Sequence, residues 1–354
     1  MRSGKRWNLI TGGAGFIGSA LVRALVWDDQ PVVNLDALTY AANPANVAEA
    51  AESDLYRFVN ADIRDRQAVD AVLREYSPRT IFHLAAETHV DRSIDAPAAF
   101  VSTNVAGTSV MLDAATAFWD KLAGNDRERF RFIHVSTDEV FGELGADGLF
   151  SEGSPYRPNS PYAASKAGAD HLVRAWHQSY GLPAIITNCG NNYGPFQFPE
   201  KLIPLMVLNA LEGKPLPVYG KGDQVRDWIH VEDHVAALRL VADKGQPGES
   251  YMVGAKGTRT NLSVVHAICT ILDRLQPAGK PHARLMREVE DRPGHDRRYA
   301  IDPGKITSEL GWAPRHGFED GLEATVRWYL ANRDWAESAS ARYGRTRLGL
   351  RSRA

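Results

Sequence analysis

Tyr162 and Lys166 stand four residues apart in a segment that follows Pro158 and Pro161 and reads as the start of a helix, so their side chains share one helical face. A free phenol has a pKa of about 10 and is a poor base at neutral pH unless a neighbouring cation stabilises the phenolate. Lys166 can supply that charge, and it can also donate to a ligand hydroxyl. Upstream, Ser136, Thr137, Asp138 and Glu139 close a strand-like run. Successive side chains of a regular strand face opposite ways, so the two acids can address one site only where the backbone leaves the strand. Two carboxyls crowded beside a cofactor do not both ionise cheaply; one is expected to keep a proton as general acid while the other serves as base. Alone, such a Tyr-Lys spacing usually marks a surface pair and an Asp-Glu pair a solvated loop. Their place relative to a nucleotide-binding turn makes them a candidate site.

That turn comes first in the chain. Gly12, Gly13, Gly15 and Gly18, with Phe16 and Ile17 opening a helix, follow the first strand-like run. Glycines there permit the tight turn, bring backbone N–H groups to a pyrophosphate and let the helix pack close to the sheet with its positive end at the phosphates. Asp36 ends the next strand at about the 20-residue spacing at which an acid accepts both adenosine ribose hydroxyls. The same acid would repel the extra phosphate of NADP, so NAD is the expected cofactor. Leu38 and Thr39 follow Asp36, Asp62 and Ile63 follow the third strand, and Leu84, Ala85 and Ala86 follow the fourth; all belong to the edge where an open α/β sheet binds ligand. Asp62 could accept from the adenine amino group or could cap a helix.

The elements that must position these residues alternate. Residues 7–11, 31–36, 56–60, 80–84, 130–136 and 184–188 read as strands, and 16–26, 66–75, 97–118 and 161–180 as the helices between them. This rhythm predicts an α/β protein, a Rossmann-type doubly wound parallel sheet with a smaller C-terminal substrate-binding domain. The expected division is a cofactor domain over 1–188, with 222–253 returning to it, a substrate domain over 189–335 and a solvated basic tail over 336–354 carrying Arg342, Arg345, Arg347, Arg351 and Arg353. The 231–242 segment reads as a helix, and Asn261 is expected to cap one that starts near Val264. Helices 97–118 and 161–180 carry apolar residues on more than one face, which predicts a homodimer through a helix bundle.

Composition excludes several function classes. Lys plus Arg number 41 against 43 Asp plus Glu, a net charge of −2, so no global field favours nucleic acid or an anionic membrane. No apolar run reaches the roughly 18 residues of a membrane span, and no secretory leader is evident, so the cytoplasm is the expected location. Cys189 and Cys269 form no disulfide framework or metal spacing. No metal is expected, and His83, His134 and Cys189 read as packing residues.

With these residues in place the chain resembles the dTDP-glucose 4,6-dehydratase family of extended short-chain dehydrogenases/reductases, from Gly12 to about Trp328. The more specific matches are 85–93, 137–142, 190–201, 226–233 and 291–302. The resemblance implies oxidation of a bound sugar at C4, loss of water across C5 and C6, and reduction at C6 with no net change in NAD. It assigns Tyr162 to the 4-hydroxyl proton, Glu139 to the C5 proton and Asp138 to the departing 6-hydroxyl. Thr137 would hydrogen-bond the 4-oxygen, Thr88 would touch the substrate, and Phe16, Ile17, Thr103 and Asn192 would touch NAD. Asn191, Lys201, Leu202, Pro217, Tyr219, Arg226, Asn261, Asp291, Arg292 and His295 would enclose the nucleotide and diphosphate. Thr88, Phe141 and Lys221 depart from the family's usual residues; Lys221 bears on the choice of base. The alternatives are an epimerase or dehydratase for a UDP- or CDP-sugar, and a non-catalytic NAD-binding protein on the same fold.

Overall fold

The structure is a computed structural model and describes residues 6–343. Twelve strands are numbered here in chain order. β1 (Asn8–Thr11), β2 (Val32–Asp36), β3 (Tyr56–Asn60), β4 (Thr80–His83), β5 (Arg131–Thr137), β6 (Ala184–Cys189) and β10 (Ser250–Val253) form one seven-stranded sheet in the order β10-β6-β5-β4-β1-β2-β3. Every pairing in it is parallel. β1, β2, β4 and β6 are buried along their whole length, as expected for strands covered by helices on both faces. The order reverses between β1 and β4, where Thr11 pairs with His83, and this opens the crevice in which such sheets take ligand.

On one face, helix Phe16–Trp27 packs with helix Val231–Lys244 and with Ile306, Leu310 and Trp312. On the other lie helices Arg66–Tyr76 and Thr108–Trp119 and the candidate catalytic helix, Pro161–Tyr180. This last helix is delimited by local chemistry. Ser160 accepts from the Ala163 amide, Pro161 occupies the first turn, and Gly181 closes the helix in the left-handed region at φ 74°.

The smaller domain holds β7 (Asn191–Tyr193), β9 (Val225–His230) and β11 (Thr258–Thr260) in one sheet, and β8 (Leu216–Tyr219) paired with β12 (Met286–Val289) in another. Helices Leu202–Leu211, Asn261–Leu275 and Phe318–Ala331 cover them around a separate core. β9 at 225–230 thus lies in the smaller domain, whereas 231–253 and the stretch around 306–312 pack with the large sheet.

Four expectations are corrected. The segment expected as one helix over 97–118 is a helix at Pro97–Phe100, a π-helical stretch at Val101–Gly107 and a helix at Thr108–Trp119. Asn104 lies in the widened turn and bridges two catalytic segments, a tertiary demand that local pattern does not encode. Thr260, not Asn261, is the N-cap: its hydroxyl accepts from the Ser263 amide, and Asn261 is the first helical residue. The tail expected from 336 is helical to Tyr343, with Ala336 and Ala339 buried against the smaller domain's aromatic residues; Arg345, Arg347, Arg351 and Arg353 lie outside the described residues. His83 and His134 are hydrogen-bonding groups more than packing ones: His83 lies 2.8 Å from Thr11 Oγ1 and 3.0 Å from Thr108 Oγ1, and His134 Nε2 lies 3.4 Å from Lys166 Nζ. Among the described residues, no helix is long and apolar enough to cross a membrane.

Candidate active site

The glycine turn is built on backbone that only glycine satisfies. Gly12 has φ 75°, and a Cβ there would press on the Ala85 amide; a Cβ at Gly18 would collide with the Gly12 carbonyl. Gly15 caps the first helix without any side-chain hydrogen bond, so the N–H groups that follow remain available to an anion. Asp36 is buried at the end of β2, and its two oxygens accept from the amides of Ala14 (2.9 Å) and Leu38 (2.8 Å). Burial pushes its pKa up, and those two hydrogen bonds act the other way. Asp62 is clasped by Arg64, whose Nε lies 3.0 Å from Oδ1, and this holds its carboxyl below the usual range. Helix Arg66–Tyr76 is capped by Asp65, which excludes the capping reading for Asp62.

A cleft of about 350 Å³ runs from this turn along the carboxyl edge of the sheet. Its walls gather Gly12, Gly15, Phe16, Ile17, Gly18, Asp36 and Thr39 with Asp62, Ile63, Leu84, Ala85, Ala86 and Thr103. Thr88, Thr137, Asp138, Glu139, Tyr162, Lys166, Asn191, Asn192 and Lys201 line the same space. Leu38 does not line it: its amide serves Asp36 and its side chain is exposed. The donor set fits a dinucleotide, with the glycine turn for a pyrophosphate, Asp36 for a ribose diol and Lys166 and Thr103 farther along.

The candidate catalytic residues converge at the far end. β5 ends at Thr137, and the chain turns at once into a 3-10 turn, Asp138–Phe141, which places two successive acids beside one cleft. Thr137 Oγ1 donates to Asp138 Oδ1 at 3.3 Å, whereas Asp138 Oδ2 is buried and without a partner. Burial, reinforced by Glu139, pushes Asp138 well above the carboxylate range. Glu139 is also raised by burial, but Arg292, Arg226 and Lys201 pull it back. The two acids are therefore unequal: Asp138 is the better proton holder and Glu139 the better base. Asn104, from the π-helical turn, donates to the Glu87 carbonyl (3.0 Å) and to Ser165 Oγ (2.9 Å), joining the loop after β4 to the catalytic helix.

The phenol is different from expectation. Burial, then Glu139, Cys189 and Asp138, push Tyr162 well above its usual value, with Thr137 hydrogen bonding in the opposite sense. Lys166 Nζ is turned to β5, where it donates to the Val135 carbonyl at 2.9 Å, and burial lowers its own pKa. The protein's groups alone therefore hold the phenol neutral.

The remaining predicted substrate residues, Leu202, Pro217, Tyr219, Arg226, Asn261, Asp291, Arg292 and His295, belong to the smaller domain and do not line the cleft itself. Tyr219 donates to Asp91 Oδ2 at 3.0 Å and Arg292 approaches Asp91 Oδ1 at 3.4 Å, so the cluster is tied to the cofactor domain. His295 Nδ1 donates to Asp291 Oδ1 at 2.6 Å, and Gln224 donates to the other oxygen of Asp291 at 2.9 Å. Arg226, expected to fork a diphosphate, spends its guanidinium on the carbonyls of Val225 and Asp296 and stacks on Tyr299. Arg292 Nε is buried without a partner.

Sequence reasoning missed Glu87, Gln197, Phe198 and Glu200, which also line the cleft. Glu200 is a buried acid raised by burial, with Tyr40 at 3.3 Å and Lys201 at 3.5 Å; its only signal in the sequence was adjacency to Lys201. His230, Glu232 and His316 gather outside the cleft, but the two imidazoles stack at 4.1 Å and His316 Nδ1 is bonded to Asp233. Stacked rings present faces, not converging lone pairs, so the group is not arranged for a metal.

Comparison with known proteins separates the readings that fold leaves open. Residues 9–325 match the GDP-mannose 4,6 dehydratase family. A dTDP-glucose 4,6-dehydratase of Salmonella typhimurium is 52% identical over 343 residues, covering 94% of this chain and 95% of that one. The chain belongs to the dTDP-glucose 4,6-dehydratase family. A family member from Streptomyces venezuelae, solved with NAD, superposes with a TM-score of 0.85 at 47% identity, over 94% of this chain and 99% of that one. A UDP-glucose 4-epimerase of Thermus thermophilus, also solved with NAD, reaches a TM-score of 0.81 at only 30% identity, over 92% and 99%. The epimerase shares the fold nearly as well, so it is sequence that sets the family apart. The Rossmann-type sheet, the smaller domain beside it and the dehydratase family expected from the motifs all stand.

Proposed function

We propose that the chain is an NAD-dependent hydro-lyase that converts dTDP-glucose to dTDP-4-keto-6-deoxyglucose. The observation that carries this reading is the meeting of Thr137, Asp138 and Glu139 with Tyr162 and Lys166 in one cleft that begins at the glycine turn. NAD, which the glycine turn, Asp36, Thr103 and Lys166 would hold, would supply a hydride acceptor for C4 and a hydride donor for C6 when bound. Tyr162 takes the proton of the 4-hydroxyl, aided by the Lys166 charge, and Thr137 donates to the 4-oxygen. Oxidation at C4 acidifies the C5–H bond. Glu139 then removes that proton while Asp138, the carboxyl held protonated, delivers its proton to the departing 6-hydroxyl, so that water leaves. Return of a proton to C5 from Glu139 and a hydride to C6 completes the sequence.

Asp36 selects NAD over NADP. Lys201 and Arg292 supply positive charge for the diphosphate, with Arg226 contributing its charge more than its fork, since its donors are already engaged. Tyr219, Pro217, Leu202, Asn191, Asn261, Asp291 and His295 enclose the nucleotide. Exposed Val101 and Tyr180 lie on the two helix segments expected to form a dimer bundle, which supports a homodimer. Incubation with dTDP-, UDP- and CDP-glucose in parallel tests the proposal. Formation of a 4-keto-6-deoxy product from dTDP-glucose at the highest rate is expected; inversion at C4 with the 6-hydroxyl retained would refute it.

A further inference from the structure

Behind Lys166 lies a closed set of polar groups that the steps above do not use. Tyr162, Lys166 and Asp170 are spaced four apart on the catalytic helix, so all three share the face turned to β5. Lys166 Nζ lies 3.4 Å from His134 Nε2. The same imidazole nitrogen lies 3.2 Å from Asp170 Oδ1, and neither His134 nor Asp170 has any solvent exposure. Asp170 Oδ2 is anchored separately: the hydroxyls of Ser136 (2.8 Å) and Tyr156 (3.0 Å) and the amide of Asn188 (3.2 Å) all donate to it. Oδ1 has no donor aligned on it, so the carboxylate is fixed by one oxygen and turns the other to His134 and Lys166.

A buried ammonium needs a counter-charge, or it gives up its proton. Asp138 does not provide one, since burial and Glu139 keep it protonated. Resting on the roles given above to Tyr162 and Lys166, we propose that Asp170, with His134 between them, is a positioning residue for the oxidation step: its carboxylate holds the Lys166 ammonium in place and charged behind Tyr162. One N–H of the ammonium is then committed to the Val135 carbonyl and one faces His134 Nε2, which leaves the third for the phenol or the cofactor ribose.

Other titratable groups also face this centre. His134 from β5 and His83 from β4 lie with their rings tilted at 35° and 5.4 Å apart, and burial pulls both below the usual imidazole range. Cys189 faces it from β6, pushed up to about 12 by burial. Asp138 and Glu139 approach from the end of β5, Tyr162 lies on the helix itself, and Arg174 sits beyond Tyr156. Of these, Asp170 is the strongest influence that raises Lys166 against the effect of burial, with Cys189 second.

The test is Asp170→Asn in the full-length, NAD-loaded enzyme, read as the pH dependence of first-turnover C4 oxidation, followed by reduced-nicotinamide absorbance after mixing with dTDP-glucose. Asn keeps an acceptor for Ser136, Tyr156 and Asn188 and replaces the charged oxygen that faces His134 by an uncharged amide group. The alkaline limb, where Lys166 loses its proton, should move down by about one pH unit or more. The oxidation rate at pH 8 should fall about tenfold, with KM for substrate within about twofold and the melting temperature unchanged. Asp170→Glu, which restores the charge, should keep the limb near its original position even if its rate falls. Should the Asn variant not accumulate, Asp170→Ser removes the same charge with a smaller side chain. An unmoved limb in the folded neutral variant, or an equal movement in Asp170→Glu, overturns the proposal. A Lys166→Met variant that still oxidised C4 would instead overturn the role given to Lys166.

Discussion

Asp36 Oδ2 accepts a hydrogen bond from the backbone amide of Ala14 at 2.9 Å, so the acid at the end of β2 is tied to the glycine turn it was expected to complement. The bond fixes the carboxylate where a ribose diol would meet it, and it ties the choice of cofactor to the shape of the turn. Asp36→Ala removes both the charge-assisted contacts and this tie. NAD affinity of the stripped protein should fall by about 10- to 100-fold, equivalent to roughly 1.5–3 kcal/mol for hydrogen bonds to a charged group. Discrimination against NADP should weaken in parallel. Titration of each cofactor by quenching of tryptophan fluorescence measures both; unaltered preference would show that Asp36 does not select the cofactor.

The fold and the cofactor half of the site were legible because both rest on local signals. β3 and the catalytic helix fall on their expected residues, since strand runs and capped helices declare themselves within a few positions. The π-helical turn at Val101–Gly107 did not, because its cause is Asn104 reaching Glu87 and Ser165, residues distant in the chain. Glu200 and Asp170 were hidden for a similar reason. Each is an ordinary acid in sequence, and only the packing of other elements around it makes it a buried one.

His234 offers a test of buried-imidazole energetics beside the cofactor cleft. It is fully buried, its Nδ1 lies 2.9 Å from Asn192 Oδ1, and burial lowers its pKa to about 3. Because the folded value lies below that of a free imidazole, the contribution to stability is complete above about pH 6.5 and is lost as pH falls towards the folded value. The stability advantage of the parent over His234→Gln should therefore shrink by about 2 kcal/mol between pH 7.5 and pH 5. Urea unfolding of both proteins at the two pH values measures it. An advantage independent of pH would mean that His234 is not held neutral.

The proposed dimer makes a simple demand on solution behaviour. Val101 and Tyr180 are 54% and 58% exposed on the helix segments assigned to the bundle. Aromatic residues such as Tyr180 are enriched at subunit interfaces relative to the rest of a protein surface. Sedimentation at micromolar concentration should give a dimer, and Val101→Asp should weaken it measurably. A monomer at all accessible concentrations would remove the helix bundle from the account.

The unequal acids give the sharpest test of chemistry. Asp138 is raised further than Glu139 because Arg292, Arg226 and Lys201 pull Glu139 back, whereas Asp138 feels the like charges of Glu139 and Asp227 with only the Arg226 charge against them. Tyr162→Phe should abolish C4 oxidation, with a loss of about a thousandfold or more, and no reduced nicotinamide should accumulate. Glu139→Gln should still oxidise C4, because the phenol is untouched, yet fail to exchange the C5 hydrogen with solvent deuterium. Asp138→Asn should exchange that hydrogen but lose water about a hundredfold more slowly. In the parent, water loss should slow as pH rises through the raised pKa of Asp138, since the acid acts only while protonated; Asp138→Asn should lack that dependence. Mass spectrometry of the sugar after brief incubation in deuterated water separates the steps. Deuterium at C5 in Glu139→Gln at the parental rate would reassign the base.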